Sequence, residues 1–173
     1  MEASYHINGA RQAVKPERGE QLYGRGSMVS SVDFERADKP YAMLRCPWAE
    51  ARAALPALAG NRPDQASVQI TCTNPETGRD AQNILGYCAQ MLRPGHTVQL
   101  PVRSPAMVFH LIEGAAEVRI ADQQFVLTEA DTFCAPGYNA ITLINRSATA
   151  PAFFFIADES PLHGKLGVFE VRV

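Results

Sequence analysis

From residue 68 onward the chain is written in short runs that alternate apolar and polar positions. Val68-Gln69-Ile70-Thr71-Cys72-Thr73 has the β-branched content and period of two expected of a strand. Ile84 to Leu92 reads as a second strand and leads into a turn at Pro94-Gly95. A third alternating segment reaches Val108-Phe109-His110-Leu111-Ile112 and stops at Glu113-Gly114. A hairpin follows, Ala116 to Ile120 and then Gln124 to Leu127. Asp131 and Pro136-Gly137 mark further turns before Ala140 to Asn145. Ala152-Phe153-Phe154-Phe155-Ile156 is apolar at every position, which suits a strand covered on both faces. Gly167 to Val173 alternates again as a last strand. Short strands at regular spacing, punctuated by Gly, Pro and Asp, predict an all-β sandwich or barrel.

One stretch departs from this period. Pro47-Trp48-Ala49-Glu50-Ala51-Arg52-Ala53-Ala54-Leu55 is alanine-rich, carries an acid in its first turn and predicts one short helix. Pro56 disturbs the pattern and Gly60-Asn61 stops it. Trp48, Leu55 and Leu58 should face the barrel. Residues 1–40 have little periodicity, and Gly19, Gly24 and Gly26 break any regular element. They read as an N-terminal arm packed on its own barrel or on a partner, or else as a partly disordered tail; residues 41–173 read as one domain.

Composition narrows the function more by exclusion than by pointing. A chain of 173 residues, 46% hydrophobic and 20% charged, is an ordinary globular length and mixture. The net charge of −2 leaves no electrostatic footprint for nucleic acid or an anionic membrane. The run 152–157 is too short to span a bilayer, and no secretory signal is visible at the N-terminus. The four cysteines, Cys46, Cys72, Cys88 and Cys134, form no Cys-x-x-Cys pair. They are expected as free thiols, buried as small apolar residues in a reducing cytoplasm.

The turn residues fall in a definite frame. Gly95 and Gly114 stand at the ends of a spacing that resembles the first cupin motif, with Pro101, Arg103 and Met107 in the positions of its metal ligands. The second motif is matched by Pro136 and Asn145. Ala130 and Tyr138 stand in its two glycine positions and Ile141 in its histidine position. Within that superfamily, several strings resemble the C-terminal half of the gentisate 1,2-dioxygenases and their salicylate and hydroxynaphthoate relatives. These are the Pro47-Trp48 helix, the Asn74 to Gly78 turn, Gln90-Met91-Leu92-Arg93-Pro94-Gly95, Val108 to Gly114, and the ending Ala157 to Pro161 with Leu166 to Phe169. The resemblance covers residues 40–173 and implies a cupin jelly roll. It also implies two barrels per chain in the relatives, with iron on three histidines of the N-terminal barrel; this chain is long enough for one barrel.

The expected chemistry follows from what occupies those positions. Pro101 has no donor, Met107 is a soft ligand, Ile141 is inert and Arg103 is a permanent cation. Of the four histidines, His6 lies in the arm, His96 at a rim and His163 in a late loop. His110 is turned away from the lumen by strand alternation from Met107. No metal or other cofactor is therefore expected. Pro101, Met107 and Ile141 read as apolar fill. Arg103 either anchors a small acidic or aromatic ligand, with Phe109 and Tyr138 as aromatic walls, or reaches solvent or an internal carboxylate. The expected function is a non-catalytic binding or accessory protein. The alternatives are a ring-cleaving dioxygenase with a rearranged or partner-completed metal site, and a structural subunit. A homodimer is expected, formed through a face including Ala152 to Ile156 and the outward positions beside Val108 and His110.

Overall fold

The computed structural model describes residues 46–74 and 78–172; the expected N-terminal arm lies outside them. The described residues begin with helix α1 (Trp48–Gly60) and then run through eleven strands. These are β1 (Ser67–Thr71), β2 (Gly86–Leu92), β3 (Thr97–Leu100), β4 (Val102–Arg103), β5 (Met107–Glu113) and β6 (Ala116–Ile120). They continue as β7 (Gln123–Leu127), β8 (Thr132–Ala135), β9 (Ile141–Ile144), β10 (Ala152–Asp158) and, after helix α2 (Ser160–Leu166), β11 (Val171–Arg172). One sheet has the order β1-β2-β10-β5-β8 and the second β3-β9-β6-β7, with β11 paired to β4 beside them. Every pairing between these strands is antiparallel.

Strand alternation builds the core between the sheets. Met107, Phe109 and Leu111 of β5 point inward with Ala152, Phe154 and Ile156 of β10, and meet Val118, Ile141 and Leu143 of the other sheet. The intervening residues of β10 and β2 form a second cluster on the outer face. There Phe153, Ala89 and Met91 pack beneath Leu55 and Ala59 of α1, with Trp48 and Leu58 alongside. The uniformly apolar run of β10 is explained by this double cover: Ala152, Phe153, Phe154 and Ile156 are all buried, and Phe155 alone is exposed. That run is thus mostly buried within the fold, Ala152, Phe154 and Ile156 between the sheets and Phe153 under the helix, which removes most of it from the expected dimer face.

Some expectations need correction. Among the described residues there are two helices, because Pro161 at a first-turn position and Gly167 in the left-handed C-cap (φ 71°) frame a seven-residue helix that the alternating reading passed over. The last strand shrinks to Val171–Arg172 as a result. Helix α1 stops at Gly60 with Asn61 as its cap, as expected, and runs through Pro56 on the way. Strand β2 starts at Gly86 and leaves Ile84 exposed. The cysteines are unpaired, but only Cys88 is buried; Cys46 and Cys134 are exposed.

The cupin-like frame is visible in the backbone. Gly95 and Gly114 have φ of 70° and 92°, and Ala130 and Tyr138 hold φ of 72° and 62°. The two non-glycine residues thus keep a left-handed conformation that glycine adopts without penalty. Asn145, the frame's last residue, is buried. Its Nδ2 donates to the carbonyls of Leu92 (3.3 Å) and Ala150 (2.9 Å), and its Oδ1 accepts from the Ser147 N–H (2.9 Å).

Candidate functional site at one end of the sandwich

Where β4 leaves the barrel, Pro101, Arg103 and Met107 come together around a cavity of about 20 Å³, room for roughly one water. Gln69 and Gln90, from β1 and β2, close it on the opposite side. Arg103 and Asp158 also line a second, outer cavity of about 310 Å³, near the lower end for small-ligand sites. Tyr87, Cys88, Ser160 and Phe169 belong to its wall. Among the described residues the Arg103 side chain has no hydrogen-bond or ion-pair partner. Asp158 is fixed by the Ser160 N–H, which donates to its Oδ1 at 2.8 Å.

The backbone around Arg103 is held from two directions. Its carbonyl accepts from the Tyr138 N–H at 2.7 Å, and it is paired to Val171 of β11. Ser104 is buried next to it. The Ser104 hydroxyl donates to the Val168 carbonyl (3.1 Å), accepts from the Glu170 N–H (3.0 Å) and lies 3.0 Å from His163 Nδ1. A Cβ on Gly137 would run into the Ser104 carbonyl, so the β8–β9 turn closes tightly over this corner. The late loop and α2 are thereby clamped beside Arg103, an arrangement of backbone partners that no residue pattern announces.

The other residues expected to line the lumen do not border these two cavities. Phe109 is fully buried and stacks on Phe133 with ring centroids 4.7 Å apart. Ile141 is buried in the main core. Tyr138 stands outside, its hydroxyl donating to Glu170 Oε2 (3.1 Å) and its ring lying 4.4 Å from the Arg172 guanidinium. Burial and the bond to Glu170 push the phenol pKa up. Arg103 and Met107 share the inner cavity; Phe109, Tyr138 and Ile141 line neither. His110 points outward, bonded to the Thr132 hydroxyl at 2.8 Å.

Gln90, Asp158, Cys88 and Ser160 were not anticipated. Gln90 had a usable signal: it is a polar residue at an inward position between Cys88 and Leu92 in an otherwise apolar strand. The Cys88 thiol is pushed up to about 12, chiefly by burial, then by the Asp158 and Cys72 charges, with Arg103 pulling the other way. It is therefore protonated and unreactive at neutral pH. None of Pro101, Arg103, Met107 and Ile141 offers an imidazole or carboxylate, and a fixed cation repels a metal ion. Among the described residues no three His, Cys, Asp or Glu side chains converge as metal ligands. No helix among them is long and apolar enough to cross a membrane.

Comparison with known proteins agrees with this fold. Residues 92–157 match a family profile described as Mif2/CENP-C like. A gentisate 1,2-dioxygenase of a Ralstonia species is 60% identical over 172 residues, covering 99% of this chain and 48% of the relative. A second, from a Streptomyces species, is 28% identical over 169 residues, covering 91% and 45%. The fold is similar to that of a salicylate 1,2-dioxygenase from Pseudaminobacter salicylatoxidans, with a TM-score of 0.67 and 20% identity, over 90% of this chain and 45% of that one. Another structure of that enzyme, with adducts of gentisate, has a TM-score of 0.65 at 20% identity, over 90% of this chain and 43% of that one. The chain spans about half the length of the relatives it matches. It is a cupin-fold homologue of the gentisate 1,2-dioxygenases that corresponds to half of one.

Proposed function

We propose that this chain is a non-catalytic cupin that binds a small acidic molecule at Arg103. The observation that carries the reading is the state of Arg103: partly buried, on the wall of two adjoining cavities, and unpaired among the described residues. A planar guanidinium in such a place matches a carboxylate. A solved structural relative carries adducts of gentisate, which is a carboxylate. Against ring cleavage by this chain alone stands the chemistry of Pro101, Arg103, Met107 and Ile141, since a fold carries no activity without its site.

The competing reading is a ring-cleaving dioxygenase whose metal site another chain completes. It is favoured by one observation, the 60% identity to a gentisate 1,2-dioxygenase over 48% of that enzyme. Oxygen uptake with gentisate and added Fe(II), together with gentisate titration of the wild type and Arg103→Met, separates the two. Saturable binding lost in Arg103→Met, with no uptake above an Fe(II) control, is the expected result. Sustained turnover by the isolated chain overturns it.

A homodimer belongs to the same reading. Val108, Phe155 and Cys134 are exposed on the outer face of β5, β10 and β8, next to His110 in the strand register. A second copy covering this patch would imitate a two-barrel chain. A cytoplasmic location fits the four unpaired thiols. Light scattering at micromolar concentration is the measurement for the dimer, and a monomer there excludes it.

A further inference from the structure

Two buried side-chain atoms among the described residues lack a hydrogen-bond partner: Gln90 Oε1 and Ser160 Oγ. Orphaned buried polar atoms are uncommon, and each calls for a water or ligand that is not protein. Their positions are not scattered. Gln90 lines the inner cavity and Ser160 the outer one, and Arg103 and Asp158 belong to both walls.

The charge inventory of the outer cavity is one cation, Arg103, and two carboxylates, Asp158 and Asp80. Arg103 and Asp158 share both cavities yet form no ion pair with one another. A simple carboxylate placed on Arg103 would lie beside uncompensated negative charge, and a simple amine would face the guanidinium. A ligand carrying both charges satisfies both walls. The remaining lining includes Tyr87, Phe169, Val171 and Pro161, which suits an apolar substituent.

We infer that the outer cavity binds a zwitterion of the amino-acid type with an apolar side chain. Its carboxylate meets Arg103, and its ammonium donates to Asp158. One water fills the inner cavity and donates to Gln90 Oε1. This rests on the assignment of Arg103 as a carboxylate anchor and adds the second charge that the ligand must carry.

The test uses the full wild-type chain and three probes that share a phenyl ring: L-phenylalanine, 3-phenylpropionate and phenethylamine. Titration calorimetry should show saturable binding of L-phenylalanine, with both single-charge probes weaker by about tenfold or more, as loss of a charge-assisted contact predicts. Asp158→Asn should weaken L-phenylalanine while leaving 3-phenylpropionate unchanged or improved, with circular dichroism checking that the variant is folded. Binding of 3-phenylpropionate as tight as L-phenylalanine overturns the zwitterion while leaving Arg103 as an anion anchor. Binding of neither, with no gentisate binding either, overturns both readings. Phenethylamine binding as tight as L-phenylalanine overturns the role given to Arg103.

Discussion

The Trp48 indole N–H donates to Glu113 Oε1 at 3.0 Å, tying the first residue of α1 to the last residue of β5. The other Glu113 oxygen accepts from Arg52 Nε at 2.7 Å. Arg52 lies 4.2 Å from the centroid of Phe153, which Trp48 meets edge-on at 5.7 Å. One carboxylate at the end of an interior strand thus holds a helix against the outer face of β10. Glu113→Ala should lower stability by about 1–2 kcal/mol, because both partners are half-exposed and can turn to water. Urea unfolding measures it, and Glu113→Gln should recover part of the loss through the indole bond alone.

Ala130 keeps a left-handed φ of 72° in a place where the cupin-like frame has glycine. Ala130→Gly should therefore stabilise the chain by about 0.5–1 kcal/mol, since relief of strain outweighs the added freedom of the unfolded backbone. Gly114→Ala should do the reverse and strongly: with φ at 92°, a Cβ would also stand 2.7 Å from the Pro151 carbonyl oxygen. Thermal melts of the two variants should move in opposite directions; a fall for Ala130→Gly would refute the strain.

Met107 tests whether the inner cavity is a pocket or a packed core. It is only 9% exposed and sits with Phe109 and Ile156 in the main cluster. Met107→Ala should cost about 2–5 kcal/mol through lost burial and a larger void. A change near zero in a denaturant titration would mean that the cavity around Arg103 is open to solvent.

Alkaline pH should destabilise the fold through Cys88. Its thiol rises from an ordinary 9.0 to about 12 in the folded chain, so the unfolded chain ionises first. Stability from this group is complete below about pH 9 and is lost as pH climbs toward 12. The slope is at most about 1.4 kcal/mol per pH unit. Comparing wild type and Cys88→Ala at about pH 8 and pH 10.5 should show a shallower loss in the variant; parallel curves would exclude the effect. The exposed Cys134 should react with a thiol reagent at neutral pH well before Cys88 does.

The strands were legible in the sequence because their chemistry is local. Alternation in β5 separated Met107, Phe109 and Leu111 from Val108 and His110, and the unbroken apolar run of β10 announced that both its faces are covered. The turn residues carried the cupin-like frame, including the two places where Ala130 and Tyr138 replace glycine without changing the backbone. Placing Arg103 at the cavity needed only that frame. What covers β10, and what surrounds Arg103, depended on contacts distant in sequence. Helix α1 reaches Phe153 across the fold, and Asp158 and Ser160 reach Arg103 only because β10 and α2 end beside β4 and β11. A one-dimensional pattern records which side of a strand a residue takes. It does not record which other strand ends beside it, and the cavity walls that Arg103 and Asp158 share exist only where those ends meet.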